Sequence, residues 1–164
     1  MNQKNITTFQ KNDVIIKQGD LEFFMYEVLS GKVGVYLNYG KDNEEKLTEL
    51  EESNFVGELG LLGEEGSVYA SPRSATVVAE ADNTAVLKIG VADFNDYFRE
   101  NPEKIFRMMQ QMSKRLKDIT RDYAEACDTI RGMRETEGDI HTDRKESLLE
   151  RIAKYSTIYP MVWY

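Results

Sequence analysis

Between positions 6 and 50 the chain leaves no room for a helix. Short β-prone runs at 6–9, 14–17, 25–29, 33–37 and 47–50 are cut apart by Asn12-Asp13, Gly19-Asp20, Ser30-Gly31 and Tyr39-Gly40. Each break carries the residue types that reverse a chain. Two further runs, 75–81 and 84–89, flank an Asp82-Asn83 turn. Many short strands joined by regular turns predict a mainly β fold, a jelly roll or double-stranded β-helix. The acidic residues between Asp42 and Glu52 are expected to coat a hairpin and its exit as a solvated face.

The most chemically pointed stretch lies between the two sets of strands: Asn54-Phe-Val-Gly-Glu-Leu-Gly-Leu-Leu62, a small-residue acidic run, then Ser71-Pro-Arg-Ser-Ala-Thr76. Gly57 has no side chain and lets backbone approach a ligand. Residues 58–62 are expected to form a single helical turn whose first N–H groups face that spot, an arrangement that attracts anions. Arg73 adds a permanent charge in a planar fork suited to phosphate oxygens. Glu58, when ionised, only accepts hydrogen bonds, so beside a phosphate it must face a neutral donor such as a sugar hydroxyl. One group for phosphate and one for sugar imply a nucleotide.

Gly57-Glu58-Leu59-Gly60-Leu61 followed by Arg73-Ser74-Ala75 resembles the phosphate-binding cassette of cyclic-nucleotide-binding domains. Gly19-Asp20, Tyr26-Glu27-Val28 and Gly31-Lys32-Val33 also look like that family, and the resemblance covers about residues 6–135. It implies a signal-transducing module whose ligand is cAMP or cGMP. It assigns the ribose 2′-hydroxyl to Glu58, the cyclic phosphate to Arg73 and to the backbone of Leu59 and Gly60, and a further hydroxyl contact to Ser74, beside Ala75. On the long helix the family's base-contacting hydroxyl pair falls on Ile119, which has none, and on Thr120. The span from Gly57 to Arg73 is longer than the family's, and the surplus at 63–71 includes Glu64 and Glu65. Two carboxylates near a phosphate site oppose an anionic ligand unless the loop swings into solvent, where salt screens them.

Asp93 is expected to cap a short helix carrying Phe94, Tyr97 and Phe98 on one face, ended by Asn101-Pro102. The next helix has apolar side chains at 105, 109, 112, 116, 119, 123, 126, 130 and 133. This alternation of four and three is a heptad seam, and such a seam wants another helix. The expectation is a parallel homodimer, with Phe106 and Met108, off the seam, packing on the roll. Residues 1–135 are read as the nucleotide-binding domain with its dimerisation helix, and 136–164 as a helical tail with a helix at 142–156 and an apolar end.

The chain has 164 residues, 41% hydrophobic and 30% charged, the balance of an ordinary globular protein. Its formal charge is −8, and up to Pro102 acidic side chains outnumber basic ones two to one. That argues against duplex DNA as a direct partner, since such binding rests on neutralising phosphates. With about thirty residues after 135 and no net positive charge there, a helix-turn-helix is not expected in this sequence. No apolar run approaches a membrane span, and the first residues lack a secretory signal, so the cytoplasm is the expected compartment. The single cysteine, Cys127, and single histidine, His141, offer neither a metal site nor a catalytic pair. The expected activity is binding without catalysis, relayed through the long helix to a downstream protein. The alternative is a ligand-free interaction or oligomerisation module on the same fold.

Overall fold

The computed structural model describes residues 5–61 and 72–135, with side chains as far as Ile130. The inserted run at 63–71, the side chain of Met133 in the seam, and the tail with its expected helix and His141 lie outside what is described. The chain forms two compact units, Met1–Met109 and Gln110–Tyr164.

The first unit is the expected roll. Its strands are β1 (Ile6–Phe9), β2 (Val14–Ile16), β3 (Phe24–Ser30), β4 (Lys32–Leu37), β5 (Glu45–Glu51), β6 (Phe55–Val56), β7 (Thr76–Ala79) and β8 (Thr84–Gly90). They build two four-stranded sheets, ordered β1-β8-β3-β6 and β2-β7-β4-β5, with antiparallel pairing throughout. Strand β6 was not legible as a strand because it is two residues long, paired only through Tyr26–Val56 and Glu27–Phe55. On the β4–β5 hairpin the acidic face is threaded by lysines. Lys32 pairs with Glu49 and Glu51, and Lys46 with Glu49 and Glu80.

Strand β3 is the spine of the unit because it is buried on both faces. Its alternation sends Tyr26 and Val28 between the sheets, where they meet Ile15, Ile16, Val33, Val56, Val77, Ala79 and Val86. Met25 points the other way, into a second core with Phe55, Leu87, Ile89, Tyr97, Phe98 and Met108. That core is roofed by α1 (Val91–Glu100) and the first turns of α2 (Pro102–Glu135). Met108 packs on the roll as expected. Phe106 does not: it is 61% exposed, because a helix can turn only one stripe toward the sheet and Met108 occupies it. Asp93 does not cap α1 either. The helix starts at Val91, after an extended Gly90, so Asp93 sits inside its first turn and acts on the helix dipole.

One polar cluster is sealed into this second core. Glu27, 2% exposed, receives a hydrogen bond from the Tyr97 hydroxyl, and Lys104 Nζ lies 2.8 Å from Glu27 Oε1 and 3.0 Å from both Glu27 Oε2 and the Tyr97 hydroxyl. Burial, then the adjacent carboxylate, pushes the Tyr97 phenol well above its ordinary range, so it donates and does not ionise. The cluster ties β3, α1 and the start of α2 together. In the second unit the α2 side chains Met112, Leu116, Tyr123 and Ile130 of the heptad seam are exposed.

Lys104→Met removes the cation from a buried carboxylate. Urea unfolding is expected to show a loss of about 2 kcal/mol, the partial exposure of Lys104 keeping it below the cost for a fully buried pair. Replacing the cluster together, Glu27→Leu with Tyr97→Phe and Lys104→Met, is expected to recover most of that loss.

Candidate functional site

The glycine turn at Gly57 meets Arg73. Gly57 adopts φ +76°, a left-handed conformation that side-chain-bearing residues disfavour, and it leads into a single 3-10 turn, Glu58–Gly60. The turn is shorter than the expected 58–62 and closes with the Gly60 N–H on the Gly57 carbonyl at 3.2 Å and the Leu61 N–H on the Glu58 carbonyl at 3.0 Å. Arg73 is brought to it by main-chain bonds to the Gly19 segment: its N–H donates to the Asp20 carbonyl at 2.9 Å and its carbonyl accepts from the Gly19 N–H at 2.8 Å. The Gly19-Asp20 motif thus positions the arginine directly.

The Arg73 residue is only 4% exposed. Its Nη1 donates to the Gly57 carbonyl at 2.6 Å and its Nη2 to the Phe24 carbonyl. Glu22 Oε2 lies 3.5 Å from Nη2, and the guanidinium carbon sits 5.1 Å from the centre of the Phe24 ring. Nε, also buried, has no hydrogen-bond partner among the described residues. Burial lowers the Arg73 pKa, and Glu22, Tyr26 and Glu58 oppose that shift, so the group stays charged. A buried, charged donor with an unused N–H is what an incoming anion requires.

Around it, Glu58 is 4% exposed and acts electrostatically on Arg73. Gly60 is needed for close packing: a Cβ there would collide with Arg73 Nη1 and come within 3.0 Å of the Glu22 carbonyl. Leu59 is exposed, Ser74 half-buried and Ala75 buried. Gly57, Glu58 and Gly60 are therefore brought together with Arg73. Thr120 belongs to the second unit, where its hydroxyl donates to the Leu116 carbonyl one turn earlier at 2.8 Å. The sequence reading passed over Glu22 and Phe24. Only their place just after the Gly19-Asp20 turn hinted at a role, since residues beside an arginine in space need not be near it in sequence.

Residues 6–101 match the family described as cyclic nucleotide-binding domain. The chain belongs to that family. The cAMP-activated global transcriptional regulator CRP of Salmonella typhimurium is 29% identical over 114 residues, which cover 68% of this chain and 50% of that protein. A cAMP-dependent protein kinase regulatory subunit from Candida albicans is 39% identical over 75 residues, 46% of this chain and 14% of that protein. The catabolite activator protein of Thermus thermophilus shares the fold, with a TM-score of 0.57 at 23% identity over 95% of this chain and 77% of that one. The chain spans about half the length of the CRP regulators it matches and a smaller share of the kinase regulatory subunit. No helix among the described residues is long and apolar enough to cross a membrane.

Gly57→Ala places a Cβ 2.8 Å from both Arg73 Nη1 and Ile16 Cδ1 in a left-handed backbone. A loss of about 1–2 kcal/mol in chemical unfolding is expected from the backbone term alone.

Proposed function

We propose that this cyclic-nucleotide-binding domain is a sensor for cAMP or cGMP that acts by binding and not by chemistry. Arg73 pairs with the cyclic phosphate, with the backbone at Gly57, Leu59 and Gly60 and the Ser74-Ala75 step beside it. Glu58 accepts from the ribose hydroxyl, and Thr120 is the candidate base contact. The observation that carries the reading is the buried Arg73 guanidinium, whose Nε has no partner among the described residues, set against a glycine turn. Membership of the family, and relatives that are a cAMP-activated regulator and a cAMP-dependent kinase regulatory subunit, support it.

On this reading residues 1–135 are the domain with its long helix and 136–164 its helical C-terminal tail. The exposed apolar seam on α2 is the surface for a second copy of the chain, and ligand binding is relayed through that helix to a downstream protein in the cytoplasm, without direct DNA contact. A ligand shifts such an equilibrium only by its differential affinity for the two states. The second reading, an interaction module that has lost its ligand, is favoured by one observation: Glu22, Gly57 and Phe24 already engage Arg73 from within the chain.

Thermal unfolding with and without each nucleotide separates them. At about a hundredfold excess over Kd the ligand adds about 2.7 kcal/mol, a rise of roughly 5–11 °C for a chain this size. The sensor reading expects that rise with one nucleotide and its loss in Arg73→Ala; no rise with either in the folded wild type favours the interaction module. For the seam, sedimentation is expected to find a dimer that Leu116→Glu converts to monomer, because a carboxylate at a seam position cannot be buried against a partner.

A further inference from the structure

Glu22 stands on the solvent side of Arg73. The backbone holds it there: Leu21 bridges Pro72, the Arg73 N–H donates to the Asp20 carbonyl, and Gly60 abuts the Glu22 carbonyl. The Glu22 side chain is 32% exposed and that of Arg73 2%, so the carboxylate is the wet half of the pair. The remaining partners of the fork, the Gly57 and Phe24 carbonyls, are neutral main-chain groups. Among the described residues Glu22 is thus a carboxylate paired with this arginine from the wet side, with the buried Glu58 a further negative charge acting on it. Its field reaches further than the pair: after burial itself, Glu22 is the main influence raising the Tyr26 phenol above its ordinary range.

Resting on the nucleotide reading above, we infer that Glu22 is a charge gate for the site: a ligand phosphate enters by displacing the Glu22 carboxylate from Arg73, and a doubly charged phosphate is rejected more strongly than a singly charged cyclic one. A cyclic phosphodiester carries one negative charge. A linear 5′-monophosphate carries about −1.5 to −2 at neutral pH. Both must approach the carboxylate they replace, and Coulomb repulsion grows in proportion to the ligand's charge. Whatever factor Glu22 costs the cyclic ligand, it costs the linear one about that factor squared. The residue thus helps tell a signalling nucleotide from the more ordinary monophosphate of the same base.

Calorimetric titration of the full chain with cAMP, 5′-AMP, cGMP and 5′-GMP tests this, on the wild type, Glu22→Gln and Asp42→Asn. Asp42, exposed in the β4–β5 connection, controls for the general loss of one negative charge. In Glu22→Gln the Kd of the cyclic ligand is expected to fall about threefold and that of its linear counterpart about tenfold, narrowing the cyclic preference. Asp42→Asn is expected to leave the preference unchanged. Binding that appears in Glu22→Gln and not in the wild type also supports the gate. An unchanged cyclic-to-linear ratio in Glu22→Gln, with the wild type binding normally, overturns it. So does weaker cyclic-nucleotide binding in that variant, which makes Glu22 an orienting partner of Arg73. Binding of no nucleotide to either protein overturns the nucleotide reading itself, and the gate with it.

Discussion

A guanidinium withdrawn almost wholly from water is the constraint around which this roll is assembled. Left unpaired, a buried charge costs several kcal/mol even after the protein relaxes, and Arg73 avoids that only by drawing acceptors from separate parts of the chain. The Gly57 carbonyl comes from the glycine turn, the Phe24 carbonyl from the start of β3, and the Glu22 carboxylate from the segment before it. The left-handed Gly57 and the missing side chain at Gly60 are what let these groups close in. The arginine thereby fixes where the glycine turn and the 22–24 segment meet its own stretch of chain.

Strand β3 gives this arrangement its reach. At one end its main chain accepts from Arg73; three residues on, Glu27 faces the opposite side and binds the helices. A strand buried on both faces has little freedom to shift, since slipping by one residue would exchange its two faces. The cassette and the start of α2 are thus held by a single rigid element, through groups of opposite polarity.

Much of this was legible before any coordinates. The roll follows from glycine- and Asx-punctuated β runs, and the cassette from Gly57, Glu58 and Arg73, since residue types with narrow conformational or chemical uses announce themselves. The heptad positions Met112, Leu116, Tyr123 and Ile130 are exposed on α2, while Ala126 of the same seam is buried. What escaped was decided by tertiary context. Phe106 and Met108 are two positions apart and equally apolar, and only the direction of the helix on the sheet says which is buried. Asp93 has the right type for a cap, yet the extended Gly90 already ends the strand and starts the helix at Val91. Strand β6 is too short for any periodicity. Glu22 reads as one more acid in an acidic chain and Glu27 as part of a strand motif, and the partners of both are set by what faces them in the fold.

The cluster of Glu27, Tyr97 and Lys104 bears on how the helices can leave their seat. Apolar contacts yield by degrees, since a side chain can slide along a greasy surface and lose area a little at a time. A carboxylate clasped by a phenol and an ammonium has no such intermediate stop: any shift that parts the members leaves at least one of them dry and unanswered. The start of α2 is consequently held by a detent, at rest in one notch until enough force arrives to lift it clear. A seat of that kind turns a graded pull into a discrete step.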